Sequence, residues 1–111
     1  MPPREWRLRV DDILDAIARI EQYVRDFTFD QFTADQKTVD AVVRNLEIIG
    51  EAVRRLSNET QSLPTGVPWV DIAGMRNVLI HEYFGVDLRI IWQTVSSDLP
   101  ALRAELERFV R

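Results

Sequence analysis

The chain has 111 residues, no cysteine and a formal net charge of −4 from 14 basic and 18 acidic side chains. The length predicts one domain over residues 1–111, and the lack of cysteine excludes disulfides, thiolate zinc sites and a cysteine nucleophile. The acidic balance argues against a broad nonspecific nucleic-acid surface. The lack of an apolar run of about 18 to 20 residues argues against a membrane span, so we expect a cytoplasmic protein.

The first predicted element is an amphipathic helix from about residue 4 to residue 27. Apolar residues recur there with the 3.6-residue period of a helix. The stripe consists of Val10, Ile13, Leu14, Ile17, Ile20 and Val24. Charged residues fall largely on the other side, and these are Asp11, Asp12, Asp15 and Arg19.

A second helix follows the polar break in "FTFDQFTADQ". Thr33, with Gln36 three residues later, resembles a capping box that opens this helix. Its apolar stripe is Val39, Val42, Val43, Leu46, Ile49, Val53 and Leu56. Gly50 lies inside the helix, where glycine is unfavourable, so a close helix approach is expected there.

Two further helices complete the chain. Pro68 suits the first turn of a third helix that ends near Gly85, and Asp87 can cap a fourth. Val86 and Ile91 have the spacing of a hydrophobic staple across that start. The last apolar stripe is Leu88, Ile91, Trp92, Val95, Leu99, Leu102, Leu106 and Phe109.

The helical pattern extends through the chain without the alternation of a strand, which predicts an all-α, up-and-down antiparallel helical bundle. Pro100 removes the hydrogen bond to the carbonyl of Ser96, so the last helix should be kinked or split. A chain this small leaves apolar surface that a second subunit would cover. We therefore expect a homodimer.

The stretch "RNVLIHEYFGVD" contains the only histidine, His81. Arg76 and Tyr83 share one helix face, because seven residues make nearly two turns, whereas His81 lies roughly 140° from Arg76. A site that uses Arg76 and His81 together needs a distorted helix or a meeting across a subunit interface.

Arginine and histidine without a thiol or an acidic metal cluster suggest phosphate chemistry. In metal-free RNA cleavage the 2′-hydroxyl attacks its own phosphodiester; His81 could act as base or acid, and Arg76 could hold the phosphate. The spacing alone equally allows His81 as an interfacial side chain bonded to a backbone carbonyl, Arg76 as a surface ion-pair partner and Tyr83 as a core aromatic.

The runs "RNLEIIGEAVRRL" at 44–56 and "VPWVDIAGMRNVLIHEYFGVDLRIIWQTVSSDLPAL" at 67–102 resemble the HepT family of small HEPN-domain proteins. The family motif is Arg, four residues, His, one residue and Tyr. Arg76, His81 and Tyr83 match it, and Asn77 supplies the polar residue after the arginine.

The resemblance implies a dimeric HEPN-like bundle with the motifs of both subunits in a shared cleft. Family members are metal-independent endoribonuclease toxins of type VII toxin-antitoxin pairs, so Arg76 and His81 would be catalytic and Asn77 supporting. An MntA-type nucleotidyltransferase antitoxin uses ATP and magnesium to attach AMP to the motif tyrosine, here Tyr83. The chain itself would then need no cofactor and no metal.

Several other residues have two interpretations. Asp11 and Asp15 share a helix face and could suggest a metal site, although a solvated face is favoured. Glu47 and Glu51 could orient Arg76 or His81, or form structural ion pairs. Trp69 and Trp92 could stack on bases, but packing in the core or an interface is favoured.

Three functional classes remain open from the sequence. The first is the ribonuclease toxin, acting on transfer RNA or messenger RNA. The second is a non-catalytic nucleotide- or RNA-binding subunit of a nucleotidyltransferase complex, which would bind its partner but cut nothing. The third is a structural helical dimer, in which replacing His81 or Arg76 would change stability alone.

Overall fold

The first helix, α1, runs over Arg4–Tyr23 in a computed structural model that describes residues 4–56, 72 and 87–110. The predicted apolar stripe is confirmed: four of its members are fully buried and two are partly buried against them, namely Val10, Ile13, Ile17 and Ile20, then Leu14 and Val24. The helix ends before the predicted residue 27. Asp26 has a φ of 63°, in the left-handed region, which a right-handed helix does not accommodate.

A short helix, α2, follows over Phe29–Ala34 and was not predicted. Its capping box is formed by Thr28 and Gln31: the Thr28 hydroxyl accepts from the Gln31 N–H at 3.2 Å, and Gln31 Oε1 accepts from the Thr28 N–H at 2.8 Å. The predicted capping box of Thr33 and Gln36 is therefore wrong. Thr33 lies inside α2, where its hydroxyl donates to the carbonyl of Asp30 at 3.1 Å.

The long helix α3 extends over Gln36–Arg54. Its N-cap is Asp35, whose Oδ1 accepts from the Thr38 N–H at 3.2 Å. All seven members of the predicted stripe are buried, and Gly50 is buried as well. The periodicity therefore identified the buried face of this helix correctly, whereas the capping-box pattern placed the cap at Thr33, two residues before Asp35.

The C-terminal region consists of α4 over Leu88–Gln93, a π-helical turn over Thr94–Asp98 and α5 over Leu99–Val110. Asp87 caps α4 as predicted, since its Oδ1 accepts from the Arg89 N–H at 2.9 Å. The predicted split near Pro100 is confirmed in the form of the π-helical turn. The Leu99 N–H reaches the carbonyl of Thr94, five residues back, immediately before the proline that has no N–H to donate.

The described helices pack as an antiparallel arrangement in an all-α fold. The start of α1 and the second half of α3 line a common groove, and Arg103 near the start of α5 bonds to Glu21 near the end of α1. The fully buried Phe32 of α2 packs on Trp92 of α4, with ring centroids 5.1 Å apart. One core therefore joins helices that are distant in sequence.

Part of the prediction lies outside the described residues. This applies to the third predicted helix apart from Ile72, which is helical and partly buried against the core, and to the Val86 half of the proposed staple. No helix in the described part of the chain combines the length and apolar character needed to cross a lipid bilayer.

Candidate functional site

The motif residues Arg76, Asn77, His81 and Tyr83 lie outside the described residues. Ile72 is the nearest described position before them, and Asp87 is the nearest after them. Their predicted roles stay predictions. Of the predicted site residues the structure describes Glu47, and the geometry around it can be built from the contacts of α1 and α3.

Glu47 lies on α3 with its side chain only 23% exposed. The carboxylate is 3.6 Å from Arg44 Nη1, one helical turn earlier, which is an i, i+3 ion pair. The observed contact of Glu47 is therefore with an arginine of its own helix, as the ion-pair interpretation predicts. The proposed contact of Glu47 with Arg76 or His81 is not tested by the described residues.

Glu51, one turn later on α3, accepts hydrogen bonds from a neighbouring arginine. Arg55 Nε donates to Glu51 Oε1 at 3.1 Å, and Arg54 Nη1 lies 3.5 Å from Oε2. All three side chains are partly exposed. The carboxylate thus ties together the basic residues at the end of α3, where positive charge is favourable beside the helix C-terminus.

A groove of about 210 Å³ separates the start of α1 from the second half of α3, and we call it the α1–α3 groove. Among the described residues it is lined by Arg9, Asp12, Arg44, Glu47, Ile48, Glu51, Ala52 and Arg55. Three arginines and three carboxylates therefore face one concave surface. Such a surface can form directed hydrogen bonds with a charged ligand while carrying little net charge.

Arg9 is the least exposed arginine of the groove. Its Nη1 is 3.8 Å from Asp12 Oδ2, its side chain is 27% exposed, and its Nε is buried without a hydrogen-bond partner. Neither Arg9 nor Arg44 was predicted from the sequence as a site residue. Their i, i+3 spacing to Asp12 and Glu47 was visible in the sequence, but it does not show that the two ion pairs meet across two antiparallel helices.

A second charged feature is Asp87 at the start of α4, the first described residue after the motif. Arg89 Nη2 and Nε donate to its carboxylate at 3.0 and 3.2 Å. These side-chain bonds, together with the backbone bond from Arg89, hold the pKa of Asp87 below its usual value, and the same carboxylate raises the pKa of Arg89. Asp87 thus caps α4 and pairs with an arginine of its first turn.

The other candidate site residues are three aspartates of α1 and two tryptophans. Asp11, Asp12 and Asp15 are exposed, and the described residues contain no group of three acidic or histidine side chains positioned to hold a metal ion. Trp92 is partly buried and packs on Phe29 and Phe32, so the predicted core role is confirmed for this tryptophan. Trp69 lies outside the described residues.

Comparison of the sequence with known proteins identifies a family. The model of the family described as "Ribonuclease HepT-like" matches residues 13–109, a range that contains Glu47 and all the motif residues. No solved structure matches the chain.

Three relatives show the same family character. The chain is 46% identical over 99 residues to "Probable ribonuclease HepT" of Thermococcus cleftensis, covering 89% of this chain and 90% of that protein. It is 40% identical over 111 residues to a candidate RNase of Methanocaldococcus jannaschii, covering 100% and 92%. It is 41% identical over 102 residues to a candidate RNase of Caldanaerobacter subterraneus, covering 92% and 91%. The chain belongs to the HepT-like ribonuclease family.

Proposed function

We propose that the protein is a metal-independent endoribonuclease that acts as the toxin of a type VII toxin-antitoxin pair in the cytoplasm. The observation that carries the proposal is the family match over residues 13–109, which contains Arg76, His81 and Tyr83 in the family's spacing. The names of the relatives, which describe ribonucleases, support the same reaction class.

The proposed reaction is transesterification within RNA. The 2′-oxygen forms a bond to phosphorus, the bond from phosphorus to the 5′-oxygen breaks, and the products are a 2′,3′-cyclic phosphate and a 5′-hydroxyl. One proton leaves the 2′-hydroxyl and one is delivered to the 5′-oxygen. His81 serves as acceptor or donor, a role typically worth about 10² to 10⁴ in rate.

Arg76 has the second role in this proposal. Its guanidinium pairs with the phosphate and stabilises the negative charge that develops in the pentacoordinate phosphorane. A homodimer would bring two copies of Arg76 and His81 to one cleft, so that one histidine could accept a proton while the other donates one. Asn77 would support the pair from the position next to the arginine.

Tyr83 provides the regulation. Its phenolic oxygen attacks the α-phosphate of ATP on a magnesium-dependent nucleotidyltransferase of the MntA type, and pyrophosphate leaves. The attached AMP carries negative charge and bulk, and it would repel RNA phosphate beside Arg76 and His81. ATP and magnesium belong to the partner in this scheme, and the chain itself uses no cofactor.

The test is a gel assay of the wild type and His81→Ala with labelled transfer RNA and messenger RNA in the presence of EDTA. Intact mass first establishes that Tyr83 carries no AMP. We expect wild type to cleave RNA to fragments that end in a 2′,3′-cyclic phosphate, and His81→Ala to lose at least about 10² in rate while melting normally.

Two outcomes would contradict this proposal. Cleavage that disappears with EDTA would exclude the metal-independent reaction, and RNA binding without cleavage would favour the non-catalytic binding subunit. The regulatory step has its own variant, Tyr83→Phe. This variant should cleave RNA like wild type and should gain no AMP when it is incubated with the partner nucleotidyltransferase and ATP.

A further inference from the structure

We propose that the α1–α3 groove binds a phosphate of the RNA backbone, with Arg9 and Arg44 as the phosphate-binding residues. The inference rests on the proposed function for the identity of the ligand. The residues assigned to the site, Arg9 and Arg44, belong to α1 and α3.

The first observation is that Arg9 of α1 and Arg44 of α3 line the same groove. Arg9 is 3.8 Å from Asp12 and Arg44 is 3.6 Å from Glu47. Both distances exceed those of N–H···O hydrogen bonds, which extend to about 3.2 Å. The two carboxylates therefore balance the charge of the arginines without using their N–H donors.

The second observation is the buried donor of Arg9. Its Nε lies in the protein without an acceptor, and a buried donor of this kind is unfavourable. Because Nε itself is covered, a phosphate in the groove would be bound by the terminal donors of the Arg9 guanidinium, whose side chain is 27% exposed. Guanidinium groups present parallel N–H donors that match two oxygens of one phosphate. The groove volume of about 210 Å³ equals that of roughly seven water molecules, which leaves room for a phosphate group.

Arg55 also lines the groove but is not assigned to the phosphate. Its Nε already donates to Glu51 at 3.1 Å, so that donor is in use. Asp12 and Glu47 compete with a phosphate for Arg9 and Arg44, but each ion pair has one well-exposed partner and a long N–O distance, so it contributes little and is readily exchanged. The groove should therefore bind RNA modestly and in a salt-dependent manner.

The experiment measures binding by fluorescence anisotropy with a short single-stranded RNA in which every 2′-hydroxyl is methylated. This probe lacks the nucleophile and cannot be cleaved, so binding is separated from catalysis. Arg9→Gln and Arg44→Gln should each weaken binding about tenfold. Each should also lower the slope of log affinity against log salt by up to roughly 0.7, the whole contribution of one phosphate contact on a single strand.

Two control variants separate phosphate binding from a structural effect. Arg108→Gln removes an exposed arginine that forms the same kind of i, i+3 ion pair, with Glu105 on α5, and does not line the groove. It should bind RNA like wild type. Asp12→Asn removes a competing carboxylate and should tighten binding, a gain that no loss of structure would produce.

The outcomes distinguish this inference from the proposed function. Arg9→Gln and Arg44→Gln variants that keep wild-type affinity and salt slope overturn the groove site, and cleavage of unmodified RNA by the same preparations would still support the ribonuclease. Selective loss of binding in these variants with no cleavage by wild type would support the groove and overturn the ribonuclease. A wild type that binds no RNA overturns the groove site.

Discussion

Arg103 Nη1 donates to Glu21 Oε2 at 2.7 Å, a contact between residues 82 positions apart in sequence. It joins the end of α1 to the start of α5, so that the two helices meet with opposite directions. Arg103 also lies 3.9 Å from Glu107, one turn along α5. The long-range bond is the shorter of the two and links the two helices directly.

Breaking this pair should have a small, salt-sensitive effect on stability. The Arg103 and Glu21 side chains are 32% and 37% exposed, so solvent screens their attraction. In a double-mutant cycle with Glu21→Gln and Arg103→Gln we expect a coupling of about 0.5 kcal/mol in the free energy of unfolding. Denaturant titrations measure it, and the coupling should disappear near 1 M salt, where the screening length is about 3 Å. A coupling unchanged by salt would contradict the electrostatic origin.

The corrected helix caps give a second prediction. Asp35→Ala removes the acceptor for the Thr38 N–H at the start of α3 and should cost about 1 kcal/mol of stability. Thr33→Ala is the matched control: its hydroxyl only donates to a carbonyl inside α2, so the cost should stay within about 0.5 kcal/mol. Thermal melts of the two variants decide the point, and a larger loss for Thr33→Ala would restore the cap predicted from the sequence.

The helical spacing of the apolar residues predicted most of the described core. The stripes of α1, α3 and the C-terminal helices were predicted residue by residue, because helical spacing alone decides which side chains share a face. The cap of α3 could not be chosen in this way. The segments "TFDQ" at 28–31 and "TADQ" at 33–36 have the same capping-box pattern, but only the first forms the box, at the start of α2, while Asp35 inside the second caps α3.

The candidate site shows a different limit of sequence reasoning. A motif such as Arg76, His81 and Tyr83 is visible in a short stretch of sequence. The resemblance to the HepT family that rests on this motif agrees with the family match. The α1–α3 groove cannot be read locally, because Arg9 and Arg44 are 35 residues apart by their numbers and meet only when the two helices pack. Local ion pairs are visible in a sequence, whereas their convergence depends on the fold.

The third prediction concerns the stability of the protein at acid pH. The bonds from Arg89 lower the pKa of Asp87 from the usual 3.8, which means that the folded state favours the charged carboxylate. This contribution to stability is present above the ordinary pKa and is lost as the pH falls through the lowered one. Asp87→Asn retains a capping side chain without the charge, so it should be less stable than wild type at neutral pH and nearly equal to it once the pH is below the lowered pKa of Asp87.

Denaturant titrations of wild type and Asp87→Asn across this pH range test that prediction. Arg89→Gln serves as the control, because it removes the partner but leaves the cap acceptor in place. With Arg89→Gln the acid-induced loss should be smaller and should be complete at a higher pH than in wild type, since only the backbone bond from residue 89 then lowers the pKa of Asp87. A stability difference between wild type and Asp87→Asn that stays constant from neutral pH to acid would contradict the proposed linkage.

The fourth prediction concerns Asn45, the buried polar residue of α3, which is 5% exposed. Its Nδ2 donates to the carbonyl of Ala41 at 2.9 Å, but its Oδ1 is buried without a hydrogen-bond partner. An unpaired buried acceptor costs about 1 to 3 kcal/mol, so Asn45→Leu, which keeps a similar branched shape, should stabilise the protein by about 1 kcal/mol. The melting temperature should rise by about 4 to 8 °C.

Asn45→Ala provides the comparison for that variant, because it removes the same acceptor but leaves a cavity. It should be less stable than Asn45→Leu by the lost packing, which for a buried leucine-sized side chain is about 2 to 5 kcal/mol. If Asn45→Leu were instead destabilised by more than about 1 kcal/mol, Oδ1 would have to accept a hydrogen bond in the native protein. Asn45 would then be a polar contact that the fold requires.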